Sequence, residues 1–128
     1  MNLLLDTHVL AWWLTDKARL PSLVVDRIVA QDTEVFVSIV NAWEIAIKVG
    51  RSKWLEATPI LDSFEAEIAT EGFRLLPITV PHVRLAGLMT SPHRDPFDRL
   101  LAAQAQVERL TLVTADPKVQ ALGANWMW

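Results

Sequence analysis

Four acidic residues sit in sequence settings where a solvated charge is not the obvious outcome. Asp6 interrupts "LLLDTHVLAWWL" at residues 3–14, between a run of leucines and a stretch rich in Trp and Leu. Glu44 lies in "IVNAWEIAIKV", with Val40 four residues before it and Ile47 three after, in a segment apolar on nearly every helical side. Asp98 of "DPFDRLLAAQA" shares a helical face with Leu101, Ala102 and Ala105, so a helix there turns the acid towards the core. Asp116 follows the apolar run of "LVTADPKVQAL". An isolated ionised carboxylate is costly to bury and needs strong donors, a paired charge or a cation. One shared cation would satisfy several of them at once.

Four carboxylates with no cysteine and no clear histidine partner form a hard, oxygen-only donor set. Such a set suits Mg²⁺ or Mn²⁺ and disfavours zinc. These ions are commonly held by one or two carboxylates, with water and substrate phosphate completing the shell. The matching chemistry is phosphoryl transfer or phosphodiester hydrolysis by a metal-activated water. Each acid also has an ordinary structural reading. Asp6 and Asp116 could be helix N-caps, Asp98 a first-turn acid complementing the helix dipole, and Glu44 the i,i+4 partner of Lys48. Those readings leave unexplained why two acids share the apolar faces of their helices, and a capping carboxylate keeps a second oxygen for a cation.

To bring such acids together the chain needs a scaffold with a common edge. Short apolar runs alternate with longer segments of helical period, the pattern of a parallel sheet covered on both faces. Strands are expected at 3–5, 35–37, 74–78, 111–114 and 124–128, and helices over about 7–15, 22–31, 39–50, 59–71, 81–89, 96–109 and 117–122. The expected architecture is a single three-layer α/β/α domain spanning 1–128, with a central parallel sheet of four to five strands and no internal repeat. Ser38 offers an N-cap; Asp95 offers another, with Pro96 at the first helical position and Asp98 where a capping-box acid would sit. Asp116 and Pro117 repeat the cap-then-proline pattern, and Gly50 and Gly72 are expected helix stops. The carboxyl ends of parallel strands share one edge, where open α/β folds place ligands, so Asp6 and Asp116 should meet there.

Composition narrows the function classes. At 128 residues the chain can bury a real core, and the absence of cysteine fits a reducing cytosol. No basic region precedes the first apolar stretch, which Asp6 interrupts, so neither a signal peptide nor a membrane span is expected. The net charge of −3 argues against coating nucleic acid through bulk electrostatics and leaves room only for a local basic rim. Hydrophobic residues make up 52% of the chain, with six Trp, more apolar material than a small monomer easily hides; part of it should face a partner. Trp12, Trp13, Trp126 and Trp128 read as core or interface, and Trp54, beside Lys53, as the better base-stacking candidate. His8, His82 and His93 show no ligand spacing. No "GxGxxG", P-loop or "GxSxG" is present, which removes nucleotide-cofactor and serine-hydrolase readings.

Taken together, "LLLDTHVLAW", "SIVNAWEIAIK", "HRDPFDRLLAAQA" and "LVTAD" resemble, in order and spacing over nearly the full chain, the PIN-domain ribonucleases, and most closely the VapC-type toxins of bacterial toxin–antitoxin pairs. The resemblance implies a sheet with the first strand central, Mg²⁺- or Mn²⁺-dependent endonucleolytic cleavage of RNA, a homodimer, a cognate antitoxin protein as inhibitor and a cytoplasmic, bacterial setting. It implies Asp6, Glu44, Asp98 and Asp116 as the catalytic and metal-site residues. Thr7 and Thr114 resemble the small hydroxyl residues beside those acids, supporting them or touching substrate, with turn hydrogen bonding as the alternative. Asp95 is ambiguous: it reads first as the N-cap, with support of the site, substrate contact or direct catalysis as the alternative. Arg99, with Lys48, Arg51, Lys53 and Arg94, could supply a basic rim, although a surface charge or ion pair is the plainer reading of each.

Two other classes compete. A phosphoacceptor signalling domain would also gather acids at strand ends, but it needs an Asp closing the third strand and a Lys after the fifth, and "RLLPITVP" and the terminal "WMW" supply neither. A catalytically silent α/β binding module, its acids serving only as caps, would show itself by losing stability and no activity when Asp98 is changed.

Overall fold

The computed structural model describes residues 1–128. Five strands, β1 (Leu3–Leu5), β2 (Val35–Ser38), β3 (Arg74–Leu76), β4 (Thr111–Val113) and β5 (Trp126–Met127), form one sheet in the order β3-β2-β1-β4-β5. Every neighbouring pair is parallel, with Leu4 opposite Phe36 on one side and Leu112 on the other. The first strand is therefore central, as expected. A flavodoxin-like phosphoacceptor sheet would run 2-1-3-4-5, so the strand order also removes that alternative.

Eight α-helices cover the sheet: α1 (Thr7–Thr15), α2 (Ser22–Val29), α3 (Ile39–Gly50), α4 (Thr58–Asp62), α5 (Phe64–Thr70), α6 (Val80–Leu88), α7 (Pro96–Glu108) and α8 (Pro117–Gln120). Strand side chains alternate between the faces. Leu3, Leu5, Val35, Val37 and Val113 join Val9, Leu10, Val24, Phe64 and Ile68 in one core. Leu4 and Leu112 point the other way, into a second core with Leu101, Ala102 and Ala105 of α7 and Ala86 of α6. The result is the three-layer α/β/α arrangement.

The segment expected as one helix over 59–71 is two, broken at Ser63. Its backbone leaves the helical region (φ −120°, ψ 30°), and its hydroxyl donates to the Pro59 carbonyl at 2.9 Å. A side chain that bonds nearby backbone competes in this way with helix continuation. The expected caps at Ser38, Asp95 and Asp116 all form. Asp98 does not complete a capping box: its carboxylate goes to His93 instead. No helix is long and apolar enough to cross a membrane.

Candidate active site

In this strand order the chain leaves β1 towards β2 on one side and lies against β4 on the other, so the carboxyl ends of β1 and β4 flank the switch point of the sheet. Asp6 stands there, directly after β1. It caps α1, accepting from the Thr7 amide through Oδ1 at 2.7 Å, while Oδ2 accepts from the Thr114 hydroxyl at 2.7 Å. Thr114 follows β4 and is fully buried, so two adjacent strand ends are joined by one side-chain bond.

Thr7 carries the arrangement to α3. Its hydroxyl donates to Glu44 Oε1 at 2.6 Å and accepts from the Asn41 amide at 2.9 Å. Asn41 also donates to the Leu5 carbonyl at 3.2 Å, and its own Oδ1 accepts from the Ser38 amide at 2.7 Å in the capping box of α3. Beneath it the Ser38 hydroxyl donates to Gln104 on α7 at 2.5 Å. This buried polar network ties β1, α1, α3 and α7 together, and every member has a partner, the condition under which such networks rigidify a site. Glu44 Oε2 pairs with Lys48 at 3.1 Å, the i,i+4 contact expected from sequence.

Asp98 enters from the first turn of α7, and His93 Nε2 lies 2.6 Å from its Oδ2. Asp95 caps the same helix, accepting from the amides of Phe97 and Asp98. Arg99 does not join a basic rim: its guanidinium donates to the carbonyls of Ala86, Met89, Ser91 and His93. It thereby fixes the segment that carries His93. Asp116 is exposed and accepts from the Lys118 amide at 2.9 Å, while its own N–H donates to the Thr114 hydroxyl at 3.2 Å. Its link to Asp6 runs through Thr114 rather than through shared burial.

Charge is strained at this edge. Burial pushes the Asp6 carboxyl above its ordinary value, against the pull of the Thr114 and Thr7 hydrogen bonds, and Glu44 raises it further. Burial likewise pushes Asp98 up to about 6; the bond to His93 opposes this, while Asp95, Asp6 and Glu44 add to it. Asp6, Glu44 and Asp98 thus feel one another as like charges, and Lys48 is the only lysine or arginine paired with any of them. A cation bound here would relieve both the desolvation and the repulsion.

No three of the His, Asp and Glu side chains are grouped closely enough to ligate one ion together. A closed cage of carboxylates is therefore not what these side chains form. One or two carboxylates with water completing the shell is the binding habit of Mg²⁺, and the all-oxygen donors fit that ion and Mn²⁺.

Sequence reasoning passed over Asn41. Its signal was a lone amide on the same helix face as Glu44 in "IVNAWE", which an apolar helix has no other reason to carry. Trp54, the expected stacking residue, has the His8 ring stacked against it at 5.5 Å and packs on the core. Of the tryptophans read as core or interface, Trp13 is buried, Trp12 and Trp128 pack against the core, and Trp126 is exposed.

The relatives are consistent with this architecture. A PIN domain family model matches residues 3–125. The ribonuclease VapC22 of Mycobacterium tuberculosis is 31% identical over 121 residues, covering 94% of this chain and 91% of that protein. Among solved structures, VapBC2 from Rickettsia felis, bound to a DNA fragment from their promoter, superposes with a TM-score of 0.70 at 15% identity, over 99% of this chain and 98% of that one. DNA-bound VapBC from Salmonella typhimurium gives 0.70 at 14% identity, over 99% and 97%. At those identities the structures speak to the fold alone; with the family match and the VapC22 relative, they place this chain in the PIN-domain family, among its VapC-type members.

Proposed function

We propose that this protein is an endoribonuclease, the toxin of a toxin–antitoxin pair, that hydrolyses RNA phosphodiester bonds with the help of Mg²⁺ or Mn²⁺. The carrying observation is that Asp6, at the switch point of the sheet, Glu44 and Asp98 come near enough to repel one another, with Asp6 and Asp98 both pushed towards protonation, although no three acids close into a cage. An arrangement that costs folding energy yet is built by a fully bonded network is best explained by a ligand that repays it. The VapC22 relative supports RNA as the substrate.

In this reading Asp6 and Asp98 would hold the cation, with Glu44 and the exposed Asp116 completing the acidic edge. When bound, a divalent ion lowers the pKa of water and offsets the charge developing on the phosphate. The rest is done by the chain's own residues. Thr114 and the Thr7 amide orient the two oxygens of Asp6, Asn41 fixes the Thr7 hydroxyl that aims Glu44, and His93 holds Oδ2 of Asp98, leaving Oδ1 outside that bond. Lys48, paired with Glu44 Oε2 at 3.1 Å, brings a cation to the same edge.

The structural neighbours include a toxin–antitoxin complex from Klebsiella pneumoniae, and exposed Trp43, Val80 and Val83 provide apolar surface for a second copy or an antitoxin. The direct test is incubation of the purified chain, freed of any partner, with RNA in Mg²⁺, in Mn²⁺ and in EDTA. Cutting that stops in EDTA and returns with either ion is expected; cutting indifferent to EDTA would remove the cation from the mechanism.

A further inference from the structure

A groove of about 860 Å³ lies beside the carboxylates rather than over them. Its walls come from α6, the 89–93 segment, α7 and the 117–123 turn. It touches the site at two points. His93, which holds Asp98, lines one end, and Lys118, whose amide is capped by Asp116, lines another. The lining is apolar along Leu85, Met89 and Leu122 and contains no Asp or Glu. Lys118 is exposed and in no ion pair. In a chain of net charge −3, a carboxylate-free groove with an unpaired cation, opening onto an acidic centre, is complementary to an anion with an apolar part.

The groove is also built rather than incidental. Arg99 anchors the carbonyls of Met89, Ser91 and His93, which fixes one wall, and Gln106 donates to the Leu122 carbonyl at 3.3 Å, which fixes the other. Its volume is within the range of pockets that take small organic ligands, roughly 300–1,000 Å³. A base splayed from a single strand has the size and flat apolar faces to lie there, whereas a paired one does not.

We infer that this groove is a nucleotide subsite: it seats a base of single-stranded RNA flanking the scissile phosphate against Leu85, Met89 and Leu122, with Lys118 on the adjoining phosphate. The inference rests on the reading that the chain cuts RNA. It adds that substrate choice is made here, by the unpaired nucleotides on one side of the cut.

Two variants test it, Lys118→Glu, which reverses the charge, and Ala121→Trp, which fills the groove from an exposed position of its rim. Circular dichroism and thermal melting show first that both fold. Affinity for a fluorescein-labelled, random-sequence single-stranded RNA pool is read by anisotropy in EDTA, and KM and kcat are read on a cleaved oligonucleotide and on versions trimmed from each end. The expected result is an affinity loss and a KM rise of about tenfold for the full oligonucleotide with kcat little changed, and no such rise once the nucleotides on one side are trimmed away. If the wild type cuts RNA while both variants keep its affinity and KM, the subsite is wrong and the ribonuclease reading stands. If RNA binds through the groove but is not cut, the ribonuclease reading fails, and with it the placement beside a scissile phosphate, leaving the groove as an RNA-binding site only; if RNA neither binds nor is cut, both fail. If the variants escape inhibition by the antitoxin with KM unchanged, the groove belongs to the protein partner and the inference is overturned.

Discussion

The Thr114 hydroxyl donates to Asp6 Oδ2 at 2.7 Å, closing a contact between residues 108 positions apart in the chain and joining the ends of β1 and β4 at the point where the sheet changes direction. Both residues are buried, so the hydroxyl is one of two donors that make ionised Asp6 tolerable there.

Thr114→Val removes that donor while keeping the shape. Leaving a buried acceptor short of a partner costs about 1–3 kcal/mol. The expected outcome is a stability loss of that order in urea denaturation, a higher Asp6 pKa and weaker Mg²⁺ binding by calorimetry. Thr114→Ser should restore most of all three, since it restores the hydroxyl.

Asp98 gives a pH signature in the metal-free protein. Its carboxyl is raised from 3.8 to about 6 on folding, so between those values the folded state holds more proton than the unfolded one. Stability then falls as pH rises, and this group's contribution, present below the ordinary value of 3.8, is lost by about 6. Urea titrations in EDTA across that window should show the decline in the wild type and a flatter profile in Asp98→Asn. Saturating Mg²⁺ should raise stability above the window, where the ionised site binds it best.

Arg99 holds four carbonyls with one guanidinium. Arg99→Ala should destabilise the fold by on the order of 3 kcal/mol, because hydrogen bonds to a charged group are stronger than neutral ones and the carbonyls lose their partner. Arg99→Lys should recover little, since an ammonium cannot reproduce a planar fork. Thermal melts of both variants check this, and hydrogen exchange should locate the loosening in the 89–93 segment.

Asn41→Ala should leave Thr7 free to rotate away from Glu44. Reduced cleavage at near-wild-type RNA affinity is the expected split, because the amide acts through Thr7 and touches no substrate in this geometry. An equal loss of affinity would place Asn41 in binding instead.

What could be read from the sequence was local or periodic. The strands show as apolar runs, the caps at Ser38, Asp95 and Asp116 announce themselves by residue type followed by helix, and Asp98 and Glu44 stand out against apolar faces. What escaped depends on where the chain returns. The helix breaks at Ser63, whose backbone leaves the helical region while its hydroxyl bonds Pro59, although the apolar period runs through it unbroken. Arg99 looks like a rim charge until the 86–93 segment folds over it, and Asp98 looks like a capping-box acid until His93 arrives. Asn41 is polar for the sake of Thr7, 34 residues away. Asp116 shares the sheet edge with Asp6 as its position after β4 suggests, but its exposure is a matter of side-chain direction that spacing does not reveal.

The central claim is that these carboxylates serve catalysis rather than capping, and Asp98→Asn tests it most directly. The measurement is RNA cleavage in Mg²⁺ by the folded variant, beside its stability in EDTA at neutral pH. Loss of several kcal/mol of transition-state stabilisation should cut the rate by roughly 10³-fold or more. Removing the half-buried charge should at the same time raise stability by about 1 kcal/mol, after discounting the raised pKa for partial exposure. Wild-type cleavage by a destabilised Asp98→Asn protein would contradict the claim and leave the acid as a structural cap.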